Sequence, residues 1–211
     1  MTKFLIPAIV LLFTHIHAAA QKKAVTDDGD QVVLYADGTW KPIDTDSSLQ
    51  PQIAVNTTPF IKSANSKFLV KSSKANVGIW INAKKWSFRK GGVNEDVEYQ
   101  FAARGKDVYG MMIAERIEVP IESLAQIAFK NAQKQSADIY IVKQEYRMVN
   151  GKKMLLMQMN GTIKGIKFSY YGYYYSNPRG TVQMVTYTAQ NLFQDQLANA
   201  EELLNGLALV E

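Results

Sequence analysis

Side chains suited to moving protons or holding metals are scarce in this chain. Its 211 residues include no cysteine and only two histidines, His15 and His17. Both histidines fall in a stretch that reads as a cleavable leader. Without them, serine and cysteine triads and zinc sites of the usual kinds have no imidazole or thiolate to build on. Carboxylates remain. Glu95, Asp96 and Glu98 lie close together, and Glu115, Glu118 and Glu122 flank a strand-to-helix junction. A glycosidase needs two carboxylates facing each other across roughly 5–10 Å, and spacing along the chain establishes no such pair. Glu118 and Glu122 also suit the positive end of a helix dipole. Asp27-Asp28-Gly29-Asp30 lacks the twelve-residue pattern of a calcium loop. Gly161-Thr162-Ile163-Lys164-Gly165 has the wrong spacing to cradle phosphate and reads as a bend or bulge. The expectation is therefore no catalytic residue, no cofactor and no metal. A hydrolase acting through carboxylates alone, for example on carbohydrate, is the alternative.

The aromatic run Tyr170 to Tyr175 is better suited to binding. In a strand, Tyr170 and Tyr174 fall on one face with Gly172, while Tyr171, Tyr173 and Tyr175 fall on the other. One row should be core. The other, taken as Tyr171, Tyr173 and Tyr175, could form an exposed ladder near Arg179 and Trp86, of the kind that anchors interfaces. A sheet covered by helices would instead bury both rows. Trp40, on an N-terminal hairpin, is the remaining candidate for a partner surface.

Compartment follows from the first twenty residues. Lys3 precedes the apolar stretch Phe4 to Phe13, and Ala18-Ala19-Ala20 offers the small residues a signal peptidase reads. The apolar stretch is about half of the roughly 20 residues that span a bilayer. Residues 1–20 therefore read as a signal peptide cleaved before Gln21, giving an exported chain, periplasmic or extracellular, with no transmembrane segment. Apolar residues make up 47% of the chain and charged residues 20%, which is a folded composition. Since no disulfide can form, packing alone must hold the fold. The net charge is +5, and its cations are scattered rather than gathered in the stripe that nucleic acid requires.

Local patterns place the elements. Residues 21–43 contain a hairpin: Val32 to Tyr35 is β-prone, Asp37-Gly38 marks a tight turn, and Thr39-Trp40 begins the return strand. Residues 44–67 are rich in Asp, Ser, Thr, Asn and Pro without a clear period, and read as a linker. The main domain spans 68–211. Val77 to Asn82 and Val97 to Ala103 suit strands, and Val108 to Ala114 is apolar enough for a central strand covered on both faces. Pro120 suits a first helical position, and Ile121, Leu124, Ala125, Ala128, Phe129 and Ala132 form one helical stripe. Four strands follow, with turns at Asn150-Gly151, the Gly161–Gly165 bend and Asn177–Gly180. A last helix runs from Asn191, a suitable N-cap, to Asn205, and Gly206 stops it.

This order predicts an α+β class, an antiparallel β-sheet flanked by helices on both faces in an α/β/α sandwich. Ile117 to Leu124, Val149-Asn-Gly-Lys-Lys153, Tyr171-Gly-Tyr-Tyr-Tyr-Ser176 and Gln183 to Thr188 before a final helix give the chain a resemblance to the PsbP-like superfamily, which includes bacterial periplasmic DcrB-type proteins. The resemblance covers about 68–211 and rests on element order and turn placement. It implies an antiparallel sheet between helices and a binding or assembly role without catalysis, and it assigns no functional residue; with the leader, the expectation is an exported protein of the bacterial cell envelope with an envelope protein as partner. Val33 to Trp40 is similar to a stretch often found just after the signal peptide of exported bacterial proteins.

Overall fold

Three short strands, β1 (Lys22–Val25), β2 (Gln31–Leu34) and β3 (Trp40–Pro42), pair antiparallel in that order within the N-terminal unit, Met1–Gln50. Gly38 turns the β2–β3 hairpin at φ 83°, and the Tyr35 amide closes it onto the Thr39 carbonyl at 2.8 Å. The strand β1 was not legible in the sequence. The computed structural model describes residues 22–25, 31–35, 38–42, 53–92 and 95–210. The leader and the Asp27–Asp30 cluster lie outside the described residues.

The second unit, Pro51–Glu211, begins inside the stretch expected to be a linker. Ala54–Phe60 is a strand, β4, and it explains why no period showed there: all seven of its residues are exposed or half-buried, so few positions needed to be apolar. Then come β5 (Phe68–Lys71), β6 (Val77–Ile81), β7 (Trp86–Lys90), β8 (Val97–Ala103) and β9 (Tyr109–Glu115). Helix α1 (Ile121–Gln135) precedes four long strands, β10 (Tyr140–Val149), β11 (Lys152–Ile163), β12 (Ile166–Asn177) and β13 (Gly180–Ala189). Helix α2 (Phe193–Leu204) and β14 (Leu207–Leu209) end the chain. Asn150 and Gly151 both take positive φ, 47° and 77°, as a two-residue hairpin turn demands. Pro120 sits one position before α1, and a short 3-10 turn at Gln190–Leu192 displaces the expected Asn191 cap.

One sheet has the order β4-β10-β11-β12-β13-β9-β8-β7, and a second has the order β14-β6-β5. All neighbours pair antiparallel except β4, which runs parallel to β10 with Ala54 opposite Glu145. The expected α/β/α sandwich is therefore corrected. Among the described residues strands take 54% and helices 18%, and the large sheet is mixed. Geometry gives the reason. Eight strands at about 4.8 Å spacing span roughly 38 Å, whereas a helix with side chains is about 10 Å wide. Helix α1 packs on β11 and β12 alone among the large sheet's strands with substantial contact. Where α2 packs on β12 and β13, much of the remaining cover comes from the small sheet: Val70, Val77, Ile79, Ile81 and Leu207 join Ala200, Leu203 and Leu204 in one core. The other core gathers Leu124, Ala125 and Ala128 of α1 with Leu155, Met157, Tyr174 and Val185.

The strand β9 shows the consequence. Gly110, Met112 and Ala114 are buried, but Tyr109 and Glu115 are exposed and Met111 and Ile113 only half-buried. It is covered on one face, where the sequence predicted two. Among the described residues no helix is long and apolar enough to cross a membrane.

Candidate functional site

Alternation along β10 sends Glu145 and Arg147 to one face and Tyr146 to the other. Both charged side chains are buried, and they meet: Arg147 Nε donates to Glu145 Oε1 at 2.6 Å, and its Nη1 donates to Glu201 Oε1 of α2 at 3.0 Å and to the Tyr173 hydroxyl at 3.2 Å. The guanidinium also lies 4.2 Å from the centroid of the Phe60 ring. Tyr171 donates to Glu201 at 2.8 Å, and Tyr173 donates to Asn205 at 2.8 Å. Burial opposes the Arg147 charge, and Tyr173 and Glu145 more than restore it. Burial pushes the Tyr173 phenol up to about 12 against the pull of Arg147. This network ties β4, β10, β12 and α2 together beneath the surface. Its charged members satisfy one another, which marks an anchor.

The tyrosines expected to form the exposed ladder are buried, Tyr171 and Tyr173 of them inside this anchor. Tyr171, Tyr173 and Tyr175 are 4%, 0% and 8% exposed, and Trp86 is 2% exposed. Their alternation was legible, but the small sheet and α2 that cover them come from distant parts of the chain.

The open aromatic row lies on the other face. Tyr170, Tyr187 and Tyr109 are directly opposite one another across β12, β13 and β9. Tyr109 and Tyr187 stack with centroids 5.5 Å apart, and Tyr170 meets Tyr187 edge-on at 6.1 Å. Beside them run Met111, Gln100 and Arg89, again opposite one another, with Arg89 Nε donating to Gln100 Oε1 at 2.6 Å. All six are exposed or half-buried. Burial, then the neighbouring tyrosine, raises the Tyr170 and Tyr187 phenols; a hydrogen bond with Asp107 is the main cause at Tyr109. At neutral pH the row offers neutral aromatic rings, amides and one guanidinium, which is interface chemistry.

Arg179 lies elsewhere. It is exposed on the β12–β13 turn and lines a depression of about 300 Å³ with Lys71, Ser72, Ser73, Lys74 and Asn76. Trp40 is exposed on the N-terminal sheet.

One solved structure shows a similar fold. The solution structure of cyanobacterial PsbP (CyanoP) from Synechocystis sp. PCC 6803 superposes with a TM-score of 0.50 at 11% identity, over 70% of this chain and 94% of that one. The fold is PsbP-like. A Pseudomonas aeruginosa protein of unknown function aligns over 68% of this chain and 97% of its own, with a TM-score of 0.44 and 11% identity. A Bacteroides thetaiotaomicron protein aligns over 64% and 46%, with a TM-score of 0.39 and 11% identity. No protein-family model matches the chain, and no curated protein matches it.

On this PsbP-like frame the carboxylates noted in the sequence are dispersed. Glu98 is buried, with both oxygens taken by Ser72 and Ser73. Glu122 accepts from the Tyr146 hydroxyl, and Glu95, Asp96, Glu115 and Glu118 are exposed. The carboxylates that do converge, Glu145 and Glu201, were missed because 56 positions of chain separate strand from helix. No group of three or more metal-ligating side chains occurs among the described residues.

Proposed function

We propose that this chain is an exported, non-catalytic binding or assembly protein of the bacterial cell envelope, and that it docks an envelope protein on the Tyr109–Tyr187–Tyr170 face. The observation that carries this reading is the half-uncovered sheet: α1 covers two strands, and from half-buried Tyr170 at its border the row runs outward through Tyr187 to exposed Tyr109. Stacked, cross-strand tyrosines lose little rotamer freedom on binding, because their neighbours already restrict them. Arg89 at the side of the row favours a partner segment that brings an acidic group among apolar ones. The leader and the PsbP-like fold support export and an accessory role.

The test is photo-crosslinking in intact cells, with a benzophenone amino acid replacing Tyr109, Tyr187 or, as a control, the exposed Gln194 of α2. Positions 109 and 187 should give one discrete heavier adduct, and position 194 none. Equal labelling at all three positions, or no adduct on the face, would sink the proposal. A second reading rests on the exposed Trp40: the N-terminal hairpin docks the chain on a larger complex. A probe at position 40 in the same experiment decides between them, since an adduct confined to that position moves the contact to the hairpin.

A further inference from the structure

A separate feature concerns the loop Ser72–Asn76 between β5 and β6, which is fixed from three directions. From below, buried Glu98 accepts the Ser72 hydroxyl at 2.6 Å and the Ser73 amide and hydroxyl at 2.6 and 2.8 Å. Inside the loop, the Ser72 Oγ accepts the amides of Lys74 and Ala75 at 3.0 and 3.1 Å. From the sides, Asn177 Nδ2 donates to Asn76 Oδ1 at 3.1 Å, and the Val210 amide donates to the Asn76 carbonyl at 3.0 Å. Asn177 Oδ1 in turn accepts the Arg179 amide at 2.8 Å, so the second wall of the depression is joined to the first. Arg116 closes the set by donating to the Ser73 carbonyl at 3.1 Å.

This rigid frame carries cations. Lys71, Lys74 and Arg179 line the depression, and among the described residues none of the three has an acidic partner. Glu98 is the acid beneath them, and its oxygens are already occupied by the two serines. Three like charges held on a fixed frame repel one another mildly in water, and an anion relieves that repulsion without any reordering of the loop. Lysine ammonium groups act as compact point charges and arginine as a flat fork, a mixture that suits a tetrahedral oxyanion. The space is larger than one such ion needs and lies at the lower limit of small-molecule pockets.

We propose that this depression binds a phosphate group, carried either by a small soluble molecule or by a phospholipid headgroup. The inference is independent of the tyrosine face, and each can fail without the other.

The test uses the mature chain, its Lys74→Gln/Arg179→Gln variant, and a Lys130→Gln/Lys134→Gln control with the same loss of charge on α1. Glycerol 3-phosphate is titrated with amide shifts as the readout, and flotation is measured with vesicles of phosphatidylglycerol or of phosphatidylcholine. The expected result is saturable binding with Kd near or below about 1 mM, shifts centred on Ser72–Asn76 and Arg179, and an affinity loss of about tenfold or more in the site variant alone. Flotation with phosphatidylglycerol that the site variant loses and the control keeps would assign the phosphate to lipid. Binding of glycerol 3-phosphate without flotation would assign it to a soluble molecule. No saturable binding by either probe, or equal loss in both double variants, would overturn the proposal. Lys130, Lys134 and Arg179 are exposed and Lys74 is half-buried, so unchanged thermal melting of each variant is expected and checks that the fold survives.

Discussion

Arg147→Ala should cost about 3–5 kcal/mol of stability, the range found when one partner of a buried ion pair is removed. Arg147 is 5% exposed, and its guanidinium holds Glu145, Glu201 and Tyr173 while covering the Phe60 ring. Truncation leaves Glu145 buried with only Lys143 at 3.0 Å and Asn56 at 3.4 Å to offset its charge. Arg147→Lys should recover part of the loss, since an ammonium keeps the charge but cannot reach Glu145 and Glu201 with one planar fork. Urea denaturation of the three proteins measures this. A loss below about 1 kcal/mol for Arg147→Ala would mean that the network behaves as an exposed pair and anchors nothing.

The pH profile gives an independent reading of the same contact. Burial raises the Glu145 carboxyl, but hydrogen bonds from Arg147 and Lys143 outweigh it, and the folded pKa lies below the ordinary value. A carboxylate depressed in this way contributes stability above its unfolded pKa, near 4.3, and that contribution is lost as pH falls through the folded value. Arg147→Met removes the main opposing influence and leaves the burial. The Glu145 pKa should then rise, and this part of the profile should reverse, with stability gained on acidification. Wild type and variant compared between pH 7 and pH 3 should diverge most at neutral pH and converge in acid.

What the sequence could tell was set by the range of each interaction. Asn150-Gly151 was legible because a two-residue turn needs positive φ at both positions, a requirement contained in the dipeptide itself. The stripe of α1 was legible because Leu124, Ala125 and Ala128 recur within two turns of helix. By contrast β4 carries Pro59 and exposed residues, as an edge strand can, and its partner β10 lies some 90 positions away. The tyrosine run shows both limits at once. Its two rows follow from alternation, yet which row is covered depends on where β6, β14 and α2 come to rest. The network around Arg147 gave no signal, because a cation inside a strand pattern looks like an outward-facing residue until Glu201 is brought over it. Trp86 and Arg179 were placed near the tyrosines on similar grounds; folding buried the first and left the second exposed on the β12–β13 turn, beside the Ser72–Asn76 loop.

Gly206→Ala should destabilise the fold by about 3 kcal/mol or more, beyond the usual cost of overpacking. In the sequence this glycine reads as a helix stop, a role in which alanine costs up to about 1 kcal/mol. The structure gives it a different task. Its φ is not positive, whereas an added Cβ would overlap the Trp80 carbonyl oxygen and lie 3.0 Å from that of Leu203. Backbone atoms cannot rotate away as a side-chain end can, so the segment itself must move. That segment carries the hydrogen bond from the Trp80 amide to the Gly206 carbonyl at 2.8 Å, and the Asn205 and Leu207 carbonyls that Asn150 Nδ2 holds at 2.8 Å each. Displacing it would separate β14 from β6 and weaken the Asn150 turn together with the end of α2. Gly151→Ala is the informative comparison: its φ is 77° with open space around the Cβ position, so the cost there is backbone strain alone, about 1–2 kcal/mol. Urea denaturation should rank Gly206→Ala well above Gly151→Ala, and hydrogen exchange should show the Trp80 amide losing protection in the first and keeping it in the second. Equal costs would mean that Gly206 serves only to end the helix, and that the closing strand tolerates a shift away from Trp80.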